Sequence, residues 1–236
     1  MAKHPIDESS GKRAALSRDR VLRCAVELAD EAGIDSLTIR SLARALGTKP
    51  MSLYHYVANK SEILDGIVDI VFSEIEMPSA TGSWRSEMHR RANSARRVLS
   101  RHKWAIGLLE SRTTPGPATL RHHEATLASL RRAGFSVQMT AHAYALLDSY
   151  IYGFALQEAA LPLTRPGAAA AVVNPLLELF AAGDYPHLME IATEHVMQPG
   201  YDFGDEFEIG LNAILDGLAG SLPEIGGELP AATSIH

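Results

Sequence analysis

The chain has 236 residues, of which 46% are hydrophobic and 21% charged, and its formal net charge is −6. These values predict a folded globular protein rather than extended disorder, and Cys24, as the only cysteine, excludes a disulfide framework and a cysteine-based zinc site. Nothing resembles a signal peptide, and no apolar stretch approaches the ~20 residues of a membrane span. We therefore expect a cytoplasmic protein without membrane contact.

The charge is divided unevenly along the chain. Residues 1–60 hold ten Lys and Arg against seven Asp and Glu, a formal charge of +3, and the remainder carries −9. A basic N-terminal segment on an acidic body predicts that only this segment contacts a polyanion. A random asymmetry of a solvated surface is the alternative, and charge alone does not decide between the two.

Apolar residues recur with helical spacing over most of the chain, and no convincing strand pattern occurs, so the expected fold class is all-α. Ser17 is placed to cap a first helix that Gly33 closes. Thr38 is placed to cap a very short second helix. Gly47 follows that helix at the point where the chain must turn.

A third short helix and a longer fourth helix follow. Thr48 is expected to cap the third, with Pro50 in its first turn, and Asn59 the fourth, with Glu62 at the capping-box position. The second and third helices are too short to be stable alone, so we expect them to pack on the first and fourth. This arrangement predicts a helix-turn-helix motif, which presents its second helix to the DNA major groove.

The third helix is expected to turn Leu53 and Val57 inward, because they lie four residues apart. Groups on its outward side that can contact base edges are Thr48, Met51, Ser52 and His55. Groups placed to reach phosphates are Thr38, Arg40, Lys49, Tyr54, Tyr56 and Lys60. Packing against the first and fourth helices is the alternative for the two tyrosines, and simple solvent exposure is the alternative for Ser52 and His55.

Three short motifs occur in the run LTIRSLARALGTKPMSLYHYVANKSEILDGIVD. They are L-T-x-R from Leu37, L-A-x-x-L-G from Leu42 and S-L-Y-x-Y/H-V-x-N-K from Ser52. The run resembles the DNA-binding domain of the tetracycline-repressor (TetR) family, specifically over residues 18–70 and more weakly beyond. Carried over residue by residue, the resemblance implies DNA contacts at Thr38, Arg40, Lys49, Pro50, Met51, Ser52, Tyr54, His55, Tyr56 and Lys60.

The resemblance also implies two domains with different roles. A helix-turn-helix DNA-binding domain, residues 17–76, is followed after a Pro/Gly/Ser-rich break by a helical effector-binding and dimerisation domain, residues 84–222. Residues 1–16, a basic arm, and residues 223–236, a tail, are expected to be disordered. Helices of the second domain are predicted at 84–102, 104–111, 116–133, 136–160, 168–182, 185–197 and 203–221.

Two helices of the second domain are candidates for pairing with a second copy of the chain. Residues 136–160 are apolar nearly all round the helix, which requires cover on both sides, and residues 203–221 carry an apolar stripe. A four-helix bundle with their copies, as the resemblance implies, predicts a homodimer on a near-palindromic DNA site. Ordinary core packing in a monomer is the alternative. The predicted interface residues are Leu147, Ile151, Phe207, Leu211, Ile214 and Leu218.

A largely apolar effector pocket is predicted in the second domain. Tyr144, Asp148 and Tyr152 follow one another at one-turn intervals, where a carboxylate and phenols could orient a ligand within apolar walls. Trp104 follows a helix break at the expected mouth. A solid core in which Asp148 bonds a neighbouring helix is the alternative. The predicted lining residues are Trp104, Leu108, His123, Leu127, Tyr144, Asp148 and Tyr152.

The ten histidines lack the spacing of a metal site, since neither HExxH nor a His pair at i, i+4 occurs, and we expect no metal and no cofactor. The magnesium-coordinating histidine of the tetracycline repressor has no counterpart in WAIGLLESRTTP. Tetracycline–magnesium is therefore not the expected effector.

The function expected from these observations is that of a ligand-responsive DNA-binding transcriptional regulator. We expect a repressor that a small apolar or amphipathic effector releases from its operator. A helical DNA-binding protein without an effector is one alternative. An enzyme is another, but no Gly-rich phosphate loop, GxSxG or Cys-His arrangement supports it.

Overall fold

The computed structural model describes residues 15–109, 111, 114–161 and 168–222. All regular elements within these ranges are helical, as the all-α expectation required. None of the helices in the described ranges is long and apolar enough to cross a membrane. The expected disorder of the arm falls almost wholly outside these ranges, and that of the tail falls wholly outside them.

The first compact unit ends at Ile67. Ser17 accepts a hydrogen bond from the Arg20 N–H, and Gly33 ends the first helix at φ 79°, donating its own N–H to the Ala29 carbonyl. A short 3-10 turn then leads to the second helix. The helices of this unit are α1 (Arg18–Ala32), α2 (Ile39–Ala45), α3 (Pro50–Leu53) and the beginning of α4 (Lys60–Glu74).

Helix α2 begins with a reciprocal cap between Thr38 and Ser41. The Ser41 N–H donates to Thr38 Oγ1 at 3.0 Å, and the Thr38 N–H donates to Ser41 Oγ at 2.9 Å. Two orphan donors of the first turn are thereby satisfied. This confirms Thr38 as the predicted cap of the second helix.

The prediction that Thr48 caps the third helix is wrong. The Thr48 N–H instead donates to the Ala43 carbonyl at 2.9 Å, which closes the turn after α2. Lys49 is the N-cap, and its side chain makes no capping bond to any described residue. Pro50 is the first residue of α3, where its missing N–H leaves one unpaired donor fewer and its φ is already helical.

Helix α4 begins as predicted, with Asn59 accepting the Glu62 N–H at 2.9 Å. The Glu62 carboxylate accepts the Ala58 N–H at 2.7 Å, which fixes the chain just before the helix. On the inner side of α4, a Cβ added to Gly66 would lie 2.7 Å from the Leu22 methyl groups. Glycine therefore permits the close approach of α1 and α4.

The core of the first unit explains how its two shortest helices persist. Side chains from all four helices are buried together, and α2 and α3 contribute their apolar residues to this shared core. Burying one leucine side chain contributes about 1.5–3 kcal/mol, which local hydrogen bonds in four to seven residues cannot supply. The buried set includes Val21, Leu22, Ala25, Leu42, Leu53, Val57, Ile63 and Ile67.

The second compact unit begins at Val68, within α4. Its predicted helix 104–111 is instead a 3-10 turn, Lys103–Ala105, followed by a four-residue helix, and the helix predicted at 185–197 changes to a π turn at Ala192. Gly107 disfavours a longer α-helix in the first of these segments. The helices are α5 (Trp84–Arg101), α6 (Ile106–Leu109), α7 (Pro117–Arg132), α8 (Val137–Ala160), α9 (Ala168–Ala182), α10 (Pro186–Ile191) and α11 (Glu206–Ala219).

Helices α5, α8 and α11 pack together around an aromatic core, and α7 packs against α5 and α8. The Phe154 ring stacks on Phe203 with centroids 4.8 Å apart and meets Phe207 edge-on at 5.0 Å. The Arg96 guanidinium lies over the Phe207 ring at 5.1 Å. Offset and edge-on ring pairs of this kind add stabilisation beyond the area that they bury.

Most of the predicted dimer-interface residues lie in this core. Leu147, Ile151, Phe207 and Leu211 are 0% exposed, and Leu218 is also buried, whereas Ile214 is half-buried. Leu147, Ile151, Phe207, Leu211 and Leu218 fill the core of this chain, and their assignment to an interface with a second copy stays a prediction. The large apolar residues that α8 and α11 expose are Val137, Leu146, Leu156 and Ile209.

Candidate functional site

Helix α3 and the residues that follow it, 54–57, have one buried and one exposed side. Leu53 and Val57 are fully buried, as their spacing predicted. On the opposite side, Met51 is 74% exposed, Tyr54 is 46% exposed and His55 is also exposed. The exposed side therefore offers an apolar thioether, a phenol and an imidazole to a binding partner.

The ten residues predicted to contact DNA all reach the surface of the first unit. Ser52 and Tyr56 are half-buried, which is consistent with partial packing of Tyr56, and the other eight are exposed. The Thr38 hydroxyl is already engaged with Ser41 in the α2 cap. The exposed members are Thr38, Arg40, Lys49, Pro50, Met51, Tyr54, His55 and Lys60.

The chemistry of this surface suits a nucleic-acid duplex. Arg40, Lys49 and Lys60 supply positive charge, and hydroxyl and imidazole groups supply hydrogen bonds, while none of the ten residues is acidic. Positively charged side chains beside a short exposed helix can neutralise DNA phosphates while the helix contacts base edges in a groove. We call these ten residues the reading surface.

A buried polar cluster lies in the second unit, where α5, α7 and α8 meet. Arg91 is only 1% exposed, and its Nη2 donates to Asp148 Oδ1 at 2.6 Å. Its Nε donates to His122 Nε2 at 2.9 Å. We call Arg91, His122 and Asp148 the buried triad.

The hydrogen bonds fix the protonation of the buried triad. His122 Nε2 accepts from Arg91, so the neutral ring carries its proton on Nδ1. Burial, and then the charge of Arg91, lower the pKa of His122 to about 3. Burial alone would lower the pKa of Arg91, but the Asp148 carboxylate outweighs it and raises that pKa. The triad is therefore an ion pair joined to a neutral imidazole.

Three buried polar atoms in the second unit have no hydrogen-bond partner among the described residues. They are Arg91 Nη1, His122 Nδ1 and Thr140 Oγ1. The first two belong to the buried triad, and both are donors. Buried donors are nearly always paired in folded proteins.

The seven predicted pocket residues divide into two groups. Asp148 belongs to the buried triad and bonds a neighbouring helix, as the solid-core alternative described. The His123 ring contacts Phe72 and Tyr144 with centroids 5.5 Å and 5.6 Å away, and Tyr144 and Tyr152 lie close enough to Arg91 for their ionised forms to raise its pKa. The structure brings these four residues together. The other three, Trp104, Leu108 and Leu127, are half-buried, and Trp104 and Leu108 pack against the core of the second unit.

Neither Arg91 nor His122 was singled out from the sequence. A signal for Arg91 was present, because it lies between Met88 and Ala95 on the apolar stripe of α5, where a charge must be buried and paired. Within the described part of the chain, no three His, Cys, Asp or Glu side chains come together as metal ligands.

A cavity of about 130 Å³ lies near the buried triad. Phe72 lines the cavity and also contacts the rings of His122 and His123, so the two features share one side chain. None of the predicted pocket residues lines it. The lining residues are Phe72, Ser73, Ile75, Met77, Ala118 and Arg121.

Comparisons with known families agree with both halves of this description. Residues 21–67 match the model described as bacterial regulatory proteins, tetR family. Residues 78–222 match the model described as Tetracyclin repressor-like, C-terminal domain. The two matches together span the reading surface and the buried triad.

Individual proteins are similar over most of the chain. The transcriptional repressor DrrR1 of Streptomyces coeruleorubidus is 33% identical over 89% of this chain and 80% of its own length. The class A tetracycline repressor of Escherichia coli is 30% identical over 86% of this chain and 91% of its own. The structure of Streptomyces coelicolor ActR in complex with actinorhodin superposes with a TM-score of 0.74, at 30% identity, covering 89% and 100% of the two chains.

Proposed function

Because the chain belongs to the TetR family of bacterial regulatory proteins, we propose that it represses transcription by binding an operator through the reading surface. The observation that carries the proposal is the exposed side of α3, held out by the burial of Leu53 and Val57. The reading surface is assigned contacts to base edges through α3 and contacts to phosphates through its cationic residues.

A homodimer on a near-palindromic operator is part of this proposal. One helix-turn-helix per chain reads one half-site, and two copies read successive grooves about 34–36 Å apart. The exposed apolar residues Leu146 and Leu156 on α8 and Ile209 on α11 support a subunit interface on these helices. Large exposed apolar patches are typical of surfaces that a partner covers, and these side chains lie on two helices that pack together.

The effector is assigned to the second unit. A similar protein, ActR, is described in complex with actinorhodin, which supports a small-molecule effector for this chain. The proposed site lies among His123, Tyr144, Asp148 and Tyr152, around Arg91, with the apolar Trp104, Leu108 and Leu127 as further walls. Binding there changes the separation of the two recognition helices and so releases the operator.

Selection from a random DNA library with the full-length protein tests the DNA-binding part of the proposal. We expect an inverted repeat with half-sites one helical turn apart, protected symmetrically in a footprint. If the selection recovers unrelated sequences, the protein has no specific operator and the proposed repressor function is wrong. Actinorhodin and tetracycline are then titrated into the operator complex as the first candidates for a small molecule that dissociates it. An operator complex that no small molecule releases would favour the DNA-binding protein without an effector.

A further inference from the structure

The cavity of about 130 Å³ in the second unit has an apolar interior and a charged mouth. The end of α4 and the residues just after it form one wall, and the beginning of α7 forms the other. Three lining residues are buried and apolar, and three are exposed and carry a hydroxyl, a thioether and a guanidinium. The buried ones are Phe72, Ile75 and Ala118, and the exposed ones are Ser73, Met77 and Arg121. A ligand that fits both ends is therefore amphipathic.

Asp69 fixes the two walls of the cavity against each other. Its Oδ1 accepts the Thr119 N–H at 2.8 Å and the Thr119 hydroxyl at 3.0 Å, and its Oδ2 accepts the Ala118 N–H at 3.2 Å. A Cβ added to Gly116 would lie 2.3 Å from Asp69 Cγ, so glycine leaves room for this contact. These bonds hold the beginning of α7 on α4 before any ligand arrives. A ligand then binds without first ordering the cavity.

The charge around the cavity favours an anion. Arg121 lines the mouth and forms no ion pair with a carboxylate of the described residues. The acidic side chains of the opposite wall are already matched, because Glu74 and Glu76 pair with arginines of α5 and Asp69 accepts the α7 amides. A guanidinium can hold a carboxylate by two parallel hydrogen bonds. We therefore expect the charged end of the ligand to be a carboxylate at Arg121.

The size of the cavity limits the apolar end of the ligand to one ring. An apolar cavity of ~150 Å³ holds a benzene molecule, and the volume here is close to that value. The Phe72 ring contacts the rings of His122 and His123, with centroids 5.8 Å and 5.5 Å away, and these contacts hold it in place. Phe72 can pack edge-on or offset against a second ring. A single aromatic ring therefore suits both the volume and the lining.

We propose that this cavity binds a small aromatic monocarboxylate, with its ring among Phe72, Ile75 and Ala118 and its carboxylate on the Arg121 guanidinium. None of the residues assigned above to the effector site lines the cavity. The inference therefore goes beyond the proposed function and does not depend on DNA binding. Arg121 selects for negative charge, and the buried side chains select for size.

Nuclear magnetic resonance of the full-length protein locates the site without any substitution in it. The methionine methyl groups are isotope-labelled, and benzoate is titrated into the protein. The Met77 methyl signal should shift, because the bound ring lies beside the mouth of the cavity. The Met51 signal should stay in place, because Met51 lies on the exposed side of α3. An unshifted Met77 signal, or equal shifts of the two signals, would overturn the proposal.

Four probes separate the contributions of ring and charge. Benzoate, benzyl alcohol and benzylammonium share one ring and differ in charge, and acetate has the carboxylate without the ring. The same titration is expected to show benzoate binding at least fivefold tighter than each of the other three. Equal binding of benzoate and benzyl alcohol would show that the carboxylate contributes nothing. That result, equal binding of acetate, or tighter binding of benzylammonium would overturn the proposal.

A variant then assigns the preference for charge to one residue. Arg121→Gln is expected to weaken benzoate binding at least fivefold and to leave benzyl alcohol binding unchanged, and the exposed position of Arg121 makes a folding defect unexpected. Lys103→Gln removes an exposed positive charge from the same unit, outside the cavity, and should leave both affinities unchanged. An unchanged benzoate affinity in Arg121→Gln would overturn the proposal. So would equal losses in the two variants, because they would reflect net charge alone.

Discussion

Arg96 and Glu158 join α5 to α8 by two hydrogen bonds in a side-on pair. Arg96 Nε donates to Glu158 Oε2 at 3.0 Å, and Nη2 donates to Oε1 at 2.6 Å. The same guanidinium lies over the rings of Phe154 and Phe207. Lysine can reproduce neither the planar fork nor the stacking, although it keeps the charge.

We expect Arg96→Lys to lower the free energy of unfolding by about 1–2 kcal/mol, because the pair is largely buried and bidentate. Denaturant titration checks the value. The matched control is Arg97→Lys, since Arg97 pairs with Glu76 on the exposed surface and should change stability by less than about 0.5 kcal/mol. Equal effects of the two substitutions would show that the fork and the ring contacts contribute nothing.

Acid should destabilise the fold through His122. Its pKa falls from 6.5 to about 3 in the folded protein, so below pH 6.5 the unfolded chain takes up a proton that the folded chain refuses. Stability from this group is complete above pH 6.5 and is lost as the pH falls towards 3. By pH 5 the loss should reach roughly 2 kcal/mol.

Denaturant titrations at several pH values from 7.5 to 5 check the His122 prediction. His122→Gln keeps an acceptor for Arg91 and cannot titrate, so its stability should vary less over this range. His123 also has a lowered pKa, chiefly through burial, and contributes a remaining slope. Identical slopes in the wild type and His122→Gln would show that His122 does not carry the acid sensitivity.

Lys60 is read as a phosphate contact of the reading surface. Lys60→Ala should weaken binding to all DNA sequences and reduce the slope of log affinity against log salt by about one. Fluorescence anisotropy at four salt concentrations measures the slope. Lys103→Ala, an exposed lysine of the second unit, is the control and should leave the slope unaltered. An unaltered slope in Lys60→Ala would remove this lysine from the interface.

Two substitutions in α3 can separate the effect on folding stability from the effect on DNA binding. Leu53→Ala should lower the free energy of unfolding by about 2–5 kcal/mol, because it empties a fully buried site. Met51→Ala, at a site 74% exposed, should change stability by less than about 0.5 kcal/mol and still weaken operator binding. Normal operator binding by the Met51 variant would remove the thioether from the reading surface.

The proposed subunit interface predicts a charge-sensitive dimer. Leu156→Glu on α8 should convert the homodimer to monomers in sedimentation, because it buries an unpaired carboxylate at the interface. Leu120→Glu, an equally exposed leucine on α7, serves as the comparison and should remain dimeric. If Leu156→Glu also sediments as a dimer, the interface lies elsewhere.

Local chemistry made some of the helix boundaries predictable. Thr38 and Asn59 cap their helices through bonds to residues three positions away, and the predicted helix at 136–160 begins and ends within one residue of α8. A cap depends only on its immediate neighbours, so the sequence is sufficient. Thr48 was misassigned because α3 begins at Pro50, which makes Lys49 the N-cap and leaves Thr48 in the turn before it.

The candidate effector site was less predictable, because its bonds are long-range. Arg91 lies 31 residues from His122 and 57 residues from Asp148, and no spacing rule joins positions so far apart. The sequence also did not show which face of α8 is buried. A helix that is apolar nearly all round has no polar side to mark solvent, so Leu147 and Leu146 could not be told apart as core and surface.

The brevity of α3 has a consequence for how the reading surface is lost. Its turn closes through the Val57 N–H, which donates to the Leu53 carbonyl at 3.1 Å, and both side chains belong to the core of the first unit. Four residues have no helical stability of their own, so this amide exchanges with deuterium only when that core opens. The reading surface therefore keeps its conformation only as long as the first unit stays folded. Warming should abolish operator binding and the protection of the core amides from hydrogen exchange in one cooperative step.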